Sequence, residues 1–309
     1  MQTKETANAA YQTQLNDWIV QEKAAIELIG TIGKLWFEKS IELILFRNQL
    51  VDRSVSEIMN LHLYAKNIVK KTISVNDTLA IATAINNADV CPSRVDIGKL
   101  AFEYQQEKGN FKSVDEFIGN KLKDLIGAKT TVTPKDVVLY GFGRIGRLAA
   151  RELISQAGKG EQLRLRAIVT RGSSDDDIIK RADLLRTDSV HGNFPGTVIE
   201  DLENKALIIN GHTVHMIDAK NPEDVDYTAY GIDNALVIDN TGVFRDDVEL
   251  SRHLKAKGVS KVLLTAPAKG NVPNVVHGIN HETVDVKNGQ IFSAASCTTN
   301  AIMPILYVI

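Results

Sequence analysis

The sequence predicts an α/β protein: a doubly wound parallel sheet preceded by an all-α N-terminal extension. Three observations predict it. Apolar residues recur at helical spacing from the N-terminus to about residue 128. From Lys135 onward, short apolar runs alternate with amphipathic stretches, the rhythm of parallel strands joined by helices. The first of those runs ends in a glycine-rich turn. A length of 309 residues suits about two domains.

Bulk properties exclude several classes of protein. Hydrophobic residues at 44% and charged residues at 24% are the balance of a soluble globular chain. A net charge of -2 gives no reason to expect nucleic acid or an anionic membrane as partner. Two cysteines, Cys91 and Cys297, are too few for a disulfide framework and fit a reducing compartment. Glu5, Asp17 and Glu22 stand beside Lys4 and Lys23, so the N-terminus reads as neither a secretory signal nor a transit peptide. The strongest apolar run, Ile41 to Phe46, is too short to span a bilayer. The expected location is the cytoplasm, and no metal site is expected.

Within the extension, Val51, Val55 and Ile58 share a helical face, as do Leu43, Phe46 and Leu50. Ser74, Ser93 and Ser113 each precede an acid by three residues (Asp77, Asp96 and Glu116), the spacing of a capping box. Pro92 and Gly109-Asn110 mark breaks between helices. Cys91 follows no activating pattern and reads as a core or surface thiol. Residues 127–134 read as the linker. The expected domains are a helical extension over 1–132, a nucleotide-binding domain over 133–294, and the start of a further domain over 295–309.

The second half reads strand by strand. Asp136-Val-Val-Leu-Tyr140 is a buried strand, and Gly141-Phe142-Gly143-Arg144-Ile145-Gly146-Arg147 follows at once, with Leu148, Leu153 and Ile154 continuing as a helix. This is a dinucleotide fingerprint in its strand–turn–helix setting. Gly141 allows the tight turn, Gly143 lets backbone approach the pyrophosphate, and Gly146 lets helix pack on strand. The sheet is therefore expected to be Rossmann-type, with NAD or NADP as cofactor. Leu163 to Val169 is the second strand. Leu207 to Val214 reads as a hairpin, because Asn210-Gly211 suits a type I′ turn. Ala235 to Asp239 and Lys261 to Leu264 are further buried strands, with a helix from Asp246 to Lys257 between them and Gly258 available beyond its end.

A fingerprint for NAD usually places an acid after the second strand, where it bonds the ribose 2′-hydroxyl. Here that position holds Thr170, followed by Arg171, with Ser173 and Ser174 nearby, all able to donate to a phosphate. Asp175-Asp-Asp177 just beyond weighs the other way. The balance favours acceptance of NADP.

Near the end, a strand-like stretch from Gln290 to Ala294 leads into Ala295-Ser296-Cys297-Thr298-Thr299-Asn300 and an apolar helical run. A cysteine in the first turn of a helix sits at the positive end of the dipole, where an attacking thiolate is favoured. Three hydroxyl residues around one cysteine would be unusual for a core.

Together these segments, with Asp188-Ser-Val-His-Gly192, Asn240-Thr241-Gly242-Val-Phe244 and Thr265-Ala-Pro267, resemble the glyceraldehyde-3-phosphate dehydrogenase family. The resemblance covers somewhat more than half the chain, from Val137 onward, and leaves Met1 to about Thr133 without a counterpart in the ordinary family pattern. Tyr140 departs from the asparagine usual before the first glycine. The resemblance implies that Cys297 attacks an aldehyde, and that Ser296 and Thr298 help hold a phosphate. It also implies that Thr241, Gly242 and Thr265 line the cofactor. The implied partners are a phosphorylated aldehyde and inorganic phosphate, the implied assembly a homotetramer, the implied setting glycolysis. The family's histidine base lies downstream of its cysteine, whereas all seven histidines here precede Cys297. The chain therefore reads as truncated soon after that residue, and as inactive by itself. Erythrose-4-phosphate dehydrogenase shares the cysteine motif and is the alternative enzyme. A non-catalytic nucleotide-binding regulator is the alternative of another class.

Overall fold

The computed structural model describes residues 4–128 and 133–309. The chain forms two compact units, Met1–Thr131 and Val132–Ile309. Half of the expected linker, 129–132, lies outside the described residues.

The first unit is mainly helical. The long α1 (Lys4–Lys39) leads into β1 (Ile41–Leu45), β2 (Asn48–Gln49), α2 (Val55–Val69), α3 (Val75–Asn87), β3 (Ser93–Asp96), α4 (Ile97–Glu107) and α5 (Val114–Lys121). Leu28, Leu35, Ile58, Ile81, Ile85 and Phe117 form its core. Ser74 closes a capping box with Asp77, and Ser54 closes another with Glu57. Ser113 caps α5 through the Glu116 amide.

An all-α extension is corrected in two places. Leu43 and Phe46 do not lie on a helix. Ile41, Leu43 and Leu45 are buried in strict alternation, and β1 pairs antiparallel with β2 and parallel with β3. Period-two burial of β-branched and long apolar residues suits a strand better than the coincidental three- and four-residue spacings. Phe46 and Arg47, both at positive φ, turn the chain back. Ser93 opens β3 rather than a helix, and it is Asp96 that caps α4, accepting from the Lys99 amide at 3.0 Å.

The second unit is built on an eight-stranded sheet. In chain order its elements are β4 (Lys135–Tyr140), α6 (Arg144–Ser155), β5 (Leu163–Thr170) and α7 (Asp175–Arg186). The short ribbon β6 (Thr187–Asp188) and β7 (Gly192–Asn193) follows, then β8 (Val198–Asp201), β9 (Ala206–Ile209) and β10 (His212–Asp218). Last come β11 (Ala235–Asp239), α8 (Asp247–Leu254), β12 (Val259–Leu264), β13 (Ile291–Ser293) and α9 (Cys297–Val308). The sheet order is β13-β12-β11-β4-β5-β10-β9-β8. The run from β13 to β10 is parallel, and β8–β9–β10 close it as an antiparallel meander. The β9–β10 hairpin turns at Asn210 and Gly211, both at positive φ.

Both faces of the sheet are covered, which is why the strands read as continuous apolar runs. In β4, Val137 and Leu139 enter one core with Ala150, Ile154, Ile178 and Leu185. Val138 and Tyr140 enter the other, with Tyr227, Ile232 and Val237. This is a Rossmann-type doubly wound sheet. Chain order reverses between β4 and β11, and ligands of such sheets sit at the carboxyl ends of the strands at that switch.

Candidate active site

At that switch point lies a cleft of about 400 Å³, lined by Tyr140, Gly141, Phe142, Gly143, Thr170, Arg171, Thr241 and Phe244, with Arg181 and Lys220 on its rim. The turn that forms its floor depends on two glycines. Gly141 has φ +92°, a conformation open to glycine,. A Cβ on Gly146 would stand 2.3 Å from the Gly141 carbonyl oxygen, so helix and strand meet at a distance that admits no side chain. Gly143 is different. A Cβ there would meet nothing within 4 Å, and its outer side is open to a ligand. Gly143 is also the N-cap of α6 and offers no side chain to the first-turn amides. Those amides are left for an anion. The residues thus fit a dinucleotide, its pyrophosphate at the start of α6.

Arg144 and Ile145 occupy the first turn of α6 outside the cleft lining. The Arg144 guanidinium reaches Asp188, at 3.5 Å, and the Ser189 hydroxyl. Asp188 is buried and accepts from the Val190 and His191 amides, at 2.9 and 3.0 Å. Those amides, then the His191 ring and the Arg144 charge, hold its carboxyl well below the usual carboxylate range. Arg147 approaches the same carboxylate at 3.6 Å. Asp188 therefore ties the β6–β7 ribbon to the phosphate turn.

Thr170 is buried at the end of β5, its hydroxyl donating to the Gly172 carbonyl at 3.0 Å. Arg171 lines the cleft, and among the described residues neither it nor Lys220 is in an ion pair. Arg181 is partly committed, donating to the Arg171 and Asp177 carbonyls and pairing with the Asp177 carboxylate. Ser174 is spent as the N-cap of α7, its hydroxyl bonded to Asp177; the expectation that it could donate to phosphate is corrected. An acid does lie one strand away. Asp218 is the register partner of Thr170, and its carboxylate accepts from the Gly172 amide at 2.8 Å.

The opposite wall rests on a buried pair that the sequence did not disclose. Asp239 and His253 are both fully buried, with Nε2 of the imidazole 2.8 Å from Oδ2 of the carboxylate. Oδ1 of Asp239 accepts from the Thr241 amide and hydroxyl, at 2.8 and 2.7 Å. The His253 ring stands edge-on to Tyr140 and Phe244, two walls of the cleft. Burial, then the Asp239 charge, raises the Tyr140 phenol above its ordinary value, so it stays neutral. Thr265 donates to the Asp239 carbonyl and lies within 3.1 Å of the Asn240 side chain. Gly242, at φ +67°, continues the loop. Neither Gly242 nor Thr265 lines the cleft itself.

Cys297 stands apart from this cleft, beyond β13 at the sheet edge. Three strand spacings, about 14 Å, separate β13 from β4. Cys297 is exposed and is the first residue of α9. Ser296 caps that helix by accepting from the Thr299 amide at 3.0 Å. Its hydroxyl also meets those of Thr298 and Thr299, at 3.0 and 2.6 Å. The bend that presents the cysteine is strained. Ala295 sits at φ +59°, unusual for a residue with a Cβ. Ser293 holds the Ala295 amide at 2.9 Å, and the Asn300 side chain donates to the Ala294 and Ser296 carbonyls. Strain held in place by surrounding bonds is a frequent mark of functional turns.

Fold and cleft thus define a dinucleotide-binding protein. Residues 135–247 match the model of the glyceraldehyde 3-phosphate dehydrogenase NAD-binding domain. A glyceraldehyde-3-phosphate dehydrogenase-like protein of Pseudomonas aeruginosa is 44% identical over 283 residues, covering 90% of this chain and 61% of that protein. That alignment is longer than the second unit, so it extends into the first. The glyceraldehyde-3-phosphate dehydrogenase of Zymomonas mobilis is 40% identical over 174 residues, 56% of this chain and 48% of that protein. That of Thermotoga maritima is 40% identical over 173 residues, with the same coverage. Over residues 135–247 the chain is similar to the NAD-binding domain of the glyceraldehyde 3-phosphate dehydrogenase family, and it spans about half the length of most of these relatives. Its cofactor is NAD or NADP. No described helix is long and apolar enough to cross a membrane.

Proposed function

We propose that this protein oxidises glyceraldehyde 3-phosphate with NAD or NADP and inorganic phosphate, through a thioester on Cys297. The observation that carries the reading is the strained, capped turn that exposes Cys297 on the sheet whose switch point holds the cofactor cleft. The thiolate adds to the aldehyde carbon, and the alkoxide formed takes up a proton to give a thiohemiacetal. The oxygen loses its proton to a base, and hydride leaves the same carbon, so a thioester remains. Inorganic phosphate then attacks the thioester carbon, the C–S bond breaks, and the thiolate is restored. The bound nicotinamide supplies the hydride acceptor. The hydroxyls of Ser296 and Thr298, grouped at the first turn of α9, suit a phosphate oxygen. Phe142, Arg144, Ile145 and the three glycines of the turn hold the pyrophosphate end, and Thr241, Gly242 and Thr265 shape the opposite loop.

On this reading 133–294 is the nucleotide-binding domain, residues from 295 begin the catalytic part, and 1–132 is an accessory domain. Assembly as a homotetramer in the cytoplasm, acting in glycolysis, follows the family resemblance. Acceptance of NADP rests on Thr170 in place of an acid and on Arg171 and Lys220 at the rim.

The test is Cys297→Ser in the full-length protein. Phosphate-dependent reduction of the nicotinamide by glyceraldehyde 3-phosphate should vanish while cofactor affinity is kept. Undiminished turnover in the variant would sink the assignment.

A further inference from the structure

We propose that α1 is a self-association helix. Its N-terminal arm, Asn8 to Lys23, pairs antiparallel with the same arm of a second copy through Tyr11, Leu15 and Trp18. The helix has 36 residues, about 54 Å. Its second half is anchored, with Ala25, Leu28, Ile32 and Leu35 buried in the first unit's core. From Asn8 to Lys23 every residue is exposed.

The exposed arm is not polar all round. Tyr11, Leu15 and Trp18 are 60%, 38% and 48% exposed. They fall on the same seven-residue repeat as Ala25, Ile29, Ile32 and Trp36, which pack into or against the core. One apolar seam thus runs along α1, filled below and bare above, interrupted only at Glu22. Alternating three- and four-residue spacing is the signature of a helix that pairs with another helix.

A second copy fits this seam. A two-fold axis crossing the arm near Asn16 and Asp17 sets Leu15 of each copy beside Trp18 of the other, and Tyr11 beside Glu22. The surface is self-complementary, as an isologous contact requires. Charge does not oppose it, because the arm carries only Asp17, Glu22 and Lys23. Tyr11, Leu15, Trp18 and Ile19, at 60%, 38%, 48% and 38% exposure, would bury at most on the order of 800 Å² over two copies, below the size of a tight specific interface. The pair should therefore be weak and concentration-dependent. The inference does not rest on the catalytic reading.

The chain has two tryptophans, so Trp36→Phe leaves Trp18 as a reporter in the seam. Emission, acrylamide quenching and light-scattering mass are followed over a hundredfold range of concentration. Trp18 should be blue-shifted and shielded at high concentration and exposed on dilution. Leu15→Glu should lower the mass where the parent associates and leave Trp18 exposed throughout. Should Trp36→Phe fail to fold, the difference between the parent and Trp18→Phe isolates the same signal. Trp18 exposed at every concentration overturns the proposal. Shielding that ignores both dilution and Leu15→Glu also overturns it, since the chain would then cover its own seam. So does shielding that appears only with anionic phospholipid vesicles.

Discussion

Two glycines of the phosphate turn should fail in opposite ways when each gains one methyl group. In Gly146→Ala the new Cβ starts 2.3 Å from the Gly141 carbonyl oxygen. It must retreat by about 0.7 Å to reach even a tight contact. The atom in its way is backbone at the end of β4, so α6 has to lift from the sheet. Overpacking of this kind costs about 1–3 kcal/mol or more, and alanine regains up to about 1 kcal/mol of helix propensity. A net loss of about 2 kcal/mol lowers the unfolding midpoint of a unit this size by roughly 4–8 °C. Gly143→Ala meets nothing within 4 Å, so the midpoint should hold within about 2 °C, the scale of a surface site with a small capping loss. Its methyl projects where the pyrophosphate must approach, and cofactor affinity should fall at least about tenfold, or about 1.4 kcal/mol. Calorimetry of the apoprotein with titration of NAD and NADP separates the two effects. A Gly146→Ala protein as stable as the parent would refute the packing argument. A Gly143→Ala protein that binds normally would remove the pyrophosphate from this turn.

Asp239→Ala should cost about 3 kcal/mol, because it strands the buried His253 and frees the Thr241 loop; cofactor titration should show weaker binding, and His253→Ala should weaken it less. Burial holds the His62 imidazole below its ordinary pKa despite its bond to the Ile58 carbonyl. The unfolded chain then binds the extra proton first, so the first unit should lose stability as pH falls below about 6.5. His62→Leu should flatten that slope in urea unfolding followed by tryptophan emission, and an equal slope would exclude His62 as its source. Thr170→Asp with Arg171→Ala should move cofactor preference toward NAD. A parent protein that already ignores NADP in binding assays would defeat the argument from this loop.

What could be read from the sequence follows the range of the interactions involved. The glycine turn, the β9–β10 hairpin and the strands buried on both faces are local, and the sequence marks each within a few residues. The cysteine turn was legible for the same reason, although not the positive φ of Ala295, a residue with no preference for that conformation. The strand at Ile41 reads as helix in the sequence because Leu43, Phe46 and Leu50 lie three and four residues apart, although Ile41, Leu43 and Leu45 are the buried set. Pairing decides between them, and most of it comes from β3, some fifty residues away. The same holds for Asp96, which serves a strand end and a helix cap at once, since its Oδ1 accepts from both the Phe46 and Lys99 amides. The Asp239–His253 pair was invisible for a sharper reason. Asp239 reads as an ordinary strand end, and His253 as one more residue of an amphipathic helix. Their meeting beneath Tyr140 depends on α8 crossing back over the sheet. The cations at the cleft rim arrive likewise from three separate elements: Arg171 after β5, Arg181 on α7 and Lys220 after β10. Only the first was within reach of the fingerprint. Cofactor preference therefore depends on residues that the motif does not contain, so altering Thr170 alone should shift it less than altering Thr170 and Arg171 together.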